Sequence, residues 1–233
     1  MRKQNSKFNT NFISEEGSAL KNSDFFAYAE LDNFACYVLA DGIEDVADTE
    51  SAKEAVESII AKFAEKPSIS KRRIHRYLSY ANEVLLKAEK YMKLKASIVV
   101  AVTDYENVRI AYAGNVRAKL YRNNKPFYKT TDTSLSTEMV SKEIISEDAL
   151  SRHEQRSNLY TFLGQKGFSP VISGKIKLVD TDILILYTKG IWENVSEGEI
   201  DSIFADSGKD PADCLGRVET ALLDKNPEYV DNY

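Results

Sequence analysis

Histidine, cysteine and glycine are scarce in this 233-residue chain, with 2, 2 and 10 copies, and each scarcity removes a class of chemistry. His75 and His153 both sit in charged helical stretches, so a histidine-dependent nucleophile has no supporting motif and surface histidine is the plain reading. Cys36 lies in an apolar strand pattern and Cys214 in a helical one, with no pairing motif, which reads as two buried reduced thiols. Neither residue type shows zinc-type spacing. No glycine-rich loop precedes a helix to cradle phosphate. No apolar run approaches bilayer length, and the start MRKQNSKFNTNF is polar, so no signal peptide or membrane span is expected and the cytoplasm is the expected compartment. Clustered positive charge is also lacking overall: the net charge of -5 argues against nucleic acid as the main partner, with KRRIHR at 71–76 the local exception.

What is present is ordinary globular material, 43% hydrophobic and 29% charged, enough for a sizeable core. Residues to about Gly17 form a polar lead-in with one edge strand around Lys7–Ile13. Phe25–Leu31 and Phe34–Ala40 are aromatic and β-branched runs around Asp32 and Asn33, a hairpin ending at Asp41. Apolar residues at three- and four-residue steps predict helices over Thr49–Phe63, with Asp48 or Thr49 as N-cap, and over Lys71–Met92. Strands follow at Ala96–Thr103, Val108–Ala113, Ala118–Arg122 and Pro126–Lys129, with Asn123 and Asn124 as another hairpin turn. Short helices at Ser136–Val140 and Glu147–Gln155 precede strands at Val171–Leu178 and Ile183–Thr188. Ile183–Tyr187 has no alternation and is expected to be buried on both faces. Helices at Ser196–Ala205 and Pro211–Leu223 close the chain. With no repeat and no long linker, residues 1–233 read as one α+β domain, an antiparallel β-sandwich flanked by helices.

With histidine and cysteine set aside, carboxylates at strand ends remain, and these suit hard cations such as manganese or magnesium. Asp24 precedes the first strand, Asp41 and the Gly42 carbonyl follow the second, and Asp231 lies near the C-terminus. Taken singly, each is more readily read as a turn residue.

In order, KNSDFFAY, YVLADG, ASIVVAVT, IAYAGNVRAKLYR, NLYTFLG, DILILYTKGIWENVS and VDNY resemble the metal-dependent protein phosphatases, the protein phosphatase 2C or PPM-type family, from about Asn22 to Tyr233. The resemblance implies two antiparallel sheets packed face to face with helices outside. It implies Asp41 as the bridge between two metal ions, the Gly42 carbonyl on one of them, Asp231 on the other and Asp24 beside metal-bound water. It further implies a metal-activated water attacking a phosphoserine or phosphothreonine.

Departures from the family fall on that chemistry. The phosphate-binding arginine position is Ala19, and Lys21 lies at another offset and lacks a planar fork. Ile43-Glu44-Asp45 follow Gly42 in place of small residues, although Glu44 or Asp45 could restore negative charge. The Gly-Asp-Ser-Arg signature has become Gly114-Asn115-Val116-Arg117, and the aspartate before Gly190 is Lys189. Three aspartates and one lysine leave two negative charges, enough to balance one divalent ion. An ammonium about 4 Å from a metal-binding carboxylate contributes on the order of 4 kcal/mol at an effective dielectric of 20. The favoured reading is that Lys189 occupies the metal's place; the competing one is an exposed turn lysine.

The expectation is therefore a degenerate member with one ion or none, a pseudophosphatase or very weak phosphatase that binds a protein or phosphoprotein partner. The alternative is an active manganese- or magnesium-dependent serine/threonine phosphatase with an altered centre. The sequence ends one residue past the Asp-Asn pair, where the family continues into a last core strand, so Asp231 is expected to fray. Lys71, Arg72, Arg73 and Arg76 form a possible partner patch, against the plainer reading of a solvated face paired with acids.

Overall fold

The computed structural model describes residues 8–43, 50–88, 93–146, 149–150, 153–205 and 210–233. β1 (Asp24–Glu30) and β2 (Ala35–Gly42) form the expected hairpin, closed by the Leu31 amide donating to the Phe34 carbonyl at 2.8 Å. Helices α1 (Ser51–Glu65) and α2 (Lys71–Ala88) follow, then β3 (Ala96–Thr103), β4 (Asn107–Ala113), β5 (Arg117–Arg122) and β6 (Lys125–Lys129). α3 (Leu135–Ser141), β7 (Val171–Ile172), β8 (Ile176–Lys177), β9 (Ile183–Tyr187), α4 (Lys189–Asn194), α5 (Glu197–Phe204) and α6 (Pro211–Leu223) complete the order.

The six-stranded sheet runs β1-β2-β3-β4-β7 with β8 also on β4, the three-stranded sheet runs β6-β5-β9, and every pair is antiparallel. Strand alternation divides the apolar side chains among three cores. Val38, Ala40, Ile98 and Val100 face Ile59, Phe63, Leu78 and Leu85 of α1 and α2. Val99, Ala101, Ile110, Ala118 and Leu120 fill the space between the sheets. Tyr121, Tyr187, Trp192, Ile200, Phe204 and Leu222 lie between the second sheet and α4 to α6. Helix, sheet, sheet, helix is the layering the pattern predicts.

Several local expectations are corrected. No strand forms over residues 8–13; Phe8 packs on Tyr37 and Tyr105, and Phe12 on Phe26, covering the part of β1 and β2 that a three-stranded second sheet is too narrow to reach. α1 is preceded by Glu50, which makes no side-chain cap bond; Asp48 and Thr49 lie outside the described residues, as do 89–92 at the end of the second predicted helix. The Glu147–Gln155 helix falls partly outside them too, and what is described nearby is a 3-10 turn at Glu154–Ser157. The Val171–Leu178 strand divides at Ser173, whose hydroxyl accepts the Ile110 amide at 2.9 Å and whose carbonyl accepts Arg109 at 2.7 Å.

β9 does face apolar side chains on both sides, Ile183 and Ile185 toward the helices and Leu184 and Leu186 toward the inter-sheet core. Only Tyr187 is buried, however, because β9 is an edge strand. The stretch after it is the helix α4, which the strand-end reading of Thr188–Gly190 missed.

Candidate active site

The β1–β2 register sets Asp24 directly opposite Asp41, so both carboxylates leave the same face at one end of the hairpin. Asn22 turns the chain into β1 by accepting the Asp24 amide on Oδ1 at 2.9 Å, and the Gly42 amide returns to the Ser23 carbonyl at 3.2 Å. Like charges in a cross-strand pair repel, which makes this an unfavourable place for two ionised acids without a cation.

Asp24 is 9% exposed and, among the described residues, neither of its oxygens has a hydrogen-bond partner. Its pKa is pushed up to about 7, first by burial and also by Asp231, with Lys189 and the nearby Thr188 hydroxyl, which falls short of hydrogen-bond geometry, only partly opposing. Half-buried Asp41 is raised well above the usual carboxylate range by desolvation, then by Asp24 and Asp231, against the pull of Lys189.

Asp231 comes from the other end of the chain and is not frayed. The Glu15 amide donates to the Tyr233 carbonyl at 2.6 Å, the Tyr233 amide donates back at 3.2 Å, and the Ser18 amide reaches the Val230 carbonyl at 2.7 Å. Asn232 accepts the Ser23 amide at 2.9 Å and donates to the carbonyls of Glu16 and Lys21 at 2.8 and 3.2 Å. Gly17 lies so close that an added Cβ would fall 2.5 Å from the Val230 carbonyl oxygen. The polar lead-in thus serves as the clamp that a sequence reading has no pattern to find.

Lys189 begins α4 and is neither exposed nor in a turn. Its Nζ lies 2.9 Å from Asp231 Oδ2 and 3.9 Å from Glu193 Oε2, one helical turn on. Burial pulls its pKa down, but the hydrogen bond and charge of Asp231, with Glu193 and Asp41, more than offset this and leave it above the usual lysine value. Glu193 is also bonded to Arg156 Nε. Glu193 and Arg156 are site residues the sequence reading did not name. The i, i+4 spacing of Lys189 and Glu193 was a usable signal; nothing local marked Arg156.

The other expected positions divide clearly. Asn115 is buried structure: Ser97 Oγ donates to its Oδ1 at 2.7 Å and Trp192 Nε1 to its carbonyl at 2.9 Å. Arg117 makes a two-pronged pair with Asp132 at 2.9 and 2.7 Å and stacks on Trp192. Ala19 closes a turn on the Glu16 carbonyl and puts no cation there, and Lys21 contributes its carbonyl to Asn232. Glu44 and Asp45 lie outside the described residues.

The basic patch is not brought to this site. α1 starts beside β3, where Ser51 Oγ donates to the Lys95 carbonyl at 2.8 Å, and runs away for 15 residues, roughly 22 Å, before α2 begins. Lys71, Arg72 and Arg76 are exposed and Arg73 half-buried, and among the described residues none makes an ion pair. The face is solvated, and the acid partners of the plain reading are not found there.

Solved structures with the same arrangement of sheets and helices decide the fold. The S. agalactiae serine/threonine phosphatase superimposes with a TM-score of 0.81 at 19% identity, covering 94% of each chain. The fold is that of the PPM-type serine/threonine phosphatases. Stp1 from Staphylococcus aureus aligns at 0.80 with 21% identity over 95% of this chain and 91% of that one. The catalytic domain of PstP, solved with two manganese ions, aligns at 0.79 with 17% identity over 94% and 92%. Curated relatives named serine/threonine phosphatase stp, from Listeria welshimeri and Listeria innocua, are 32% and 31% identical over 125 residues. Those matches span 52% of this chain and 49% of each relative, about half the relatives' length. No family model matches the sequence.

Among the described residues no three His, Cys, Asp or Glu side chains converge to hold a metal ion. Asp231 spends Oδ2 on Lys189. Among the described residues, Asp24 is the carboxylate with both oxygens buried and without a hydrogen-bond partner.

Proposed function

We propose that residues 1–233 form one protein phosphatase 2C-like domain whose metal centre is degraded, and that it acts by binding a protein or phosphoprotein segment, with very weak hydrolysis or none. The observation that carries this reading is the Lys189–Asp231 ion pair at 2.9 Å, which ties up an acid that would otherwise be a ligand. The absence of a guanidinium at Ala19 supports it, since bidentate arginine is the strong way to orient a phosphoryl group. The partner is a polypeptide and not a nucleic acid, in keeping with the net charge of -5, and the working compartment is the cytoplasm. Among the described residues no helix is long and apolar enough to cross a membrane.

A phosphothreonine peptide assayed with manganese tests the proposal directly. We expect binding by fluorescence anisotropy without appreciable phosphate release. Sustained manganese-dependent turnover, lost in Asp41→Asn, would refute it. The unpartnered oxygens of Asp24, set against Asp41, favour a second reading, an active manganese- or magnesium-dependent serine/threonine phosphatase with an altered centre. Calorimetry showing no manganese binding at millimolar concentration would remove that second reading.

A further inference from the structure

Around Lys189 the chain keeps the surroundings of a cation site. Asp24 presents two buried oxygens without hydrogen bonds, Asp41 stands opposite it across the hairpin, and Asp231 is fixed by the clamp of Glu15, Ser18 and Asn232. Glu193 adds a fourth carboxylate, 3.9 Å from the ammonium. The half-buried ammonium of Lys189 lies 2.9 Å from Asp231 and 3.9 Å from Glu193, and the charges of Asp24 and Asp41 act on it from the end of the hairpin, so the cation these acids need is covalently supplied.

Resting on the function just proposed, we propose that the Lys189 ammonium is the resident cation of this site: it occupies Asp231 in competition with divalent metal, and neutralising this single side chain frees that carboxylate and raises the affinity of the site for manganese. The physical reason is that an ammonium and a divalent ion cannot share these acids at close range. At about 4 Å and an effective dielectric near 20, one unit charge against another changes affinity by about a thousandfold. Lys189 has a side chain 24% exposed, so solvent reduces this to at least about tenfold.

Calorimetric titration with manganese chloride, on folded protein checked by thermal melting in EDTA, tests the proposal. Lys189→Met should bind manganese at least about tenfold tighter than the wild type. Lys189→Arg keeps the charge and should show no gain, and adding Asp231→Asn to Lys189→Met should abolish the gain. Should Lys189→Met fail to fold, Lys189→Gln provides the same comparison. A folded neutral variant that binds no tighter than the wild type, or an equal gain in Lys189→Arg, overturns the proposal. Turnover of the phosphothreonine peptide by the wild type would instead undo the functional reading, and would leave this one standing if the neutral variants still gained affinity.

Discussion

Replacing Asp24 with asparagine should stabilise the domain at pH 8 in EDTA and leave it nearly unchanged at pH 5. The native Asp24 pKa is raised from 3.8 to about 7, so the folded state holds a proton that the unfolded chain has already released. Between those two values the folded state binds more protons, and stability therefore falls as pH rises through about 4 to 7 and levels off above. A shift of about three units corresponds to about 4 kcal/mol of charge burial at high pH. The substitution removes the charge but leaves an amide to satisfy in the same dry surroundings, so a net gain of roughly 2 kcal/mol is expected. For a chain of this size that is a rise of about 4 to 8 °C in melting temperature. Circular dichroism melts at both pH values provide the measurement. A variant that melts at or below the wild type at pH 8, or one that shows the wild-type drop between pH 5 and 8, would refute the reasoning.

Three further perturbations follow from named contacts. Arg117→Met leaves Asp132 buried without its cation and should cost about 3 to 5 kcal/mol in urea unfolding. Gly190→Ala places a Cβ 2.5 Å from the carbonyl oxygens of Asp231 and Asn232. It should destabilise by roughly 1 to 3 kcal/mol and speed amide exchange at residues 230–233. Charge reversal at Arg72 and Arg73, on the solvated start of α2, should leave the melting temperature within about 2 °C, since surface changes are usually small. If it also leaves every protein partner bound in pull-downs, the basic patch is not a docking surface.

The layering was legible because strand alternation and helical periodicity each leave a local mark. Phe25–Ala40 declared a hairpin, and Asn123 and Asn124, with positive φ of 49° and 62°, declared another. Asp24 and Asp41 could be named for the same reason, since they stand at the ends of recognisable runs, whereas Asp231 was named through the family resemblance of VDNY. The α4 helix was missed because its six residues are too few for periodicity to register, and the edge exposure of β9 because hydrophobicity does not reveal how many strands a sheet has.

What the sequence determined alone was the PPM-type arrangement and the presence of a lysine where an acid was expected. Which groups that lysine meets was decided only in three dimensions. Asp231 is reached through backbone pairing between the two ends of the chain, Glu193 through one turn of α4, and Arg156 from a separate loop. Electrostatic energy depends on distances of a few ångströms between site residues up to 207 apart in sequence, Asp24 and Asp231 being the widest pair, and no local pattern encodes such distances. Burial works in the same way. The sequence shows a carboxylate at Asp24, and only the packed chain shows that both its oxygens are dry.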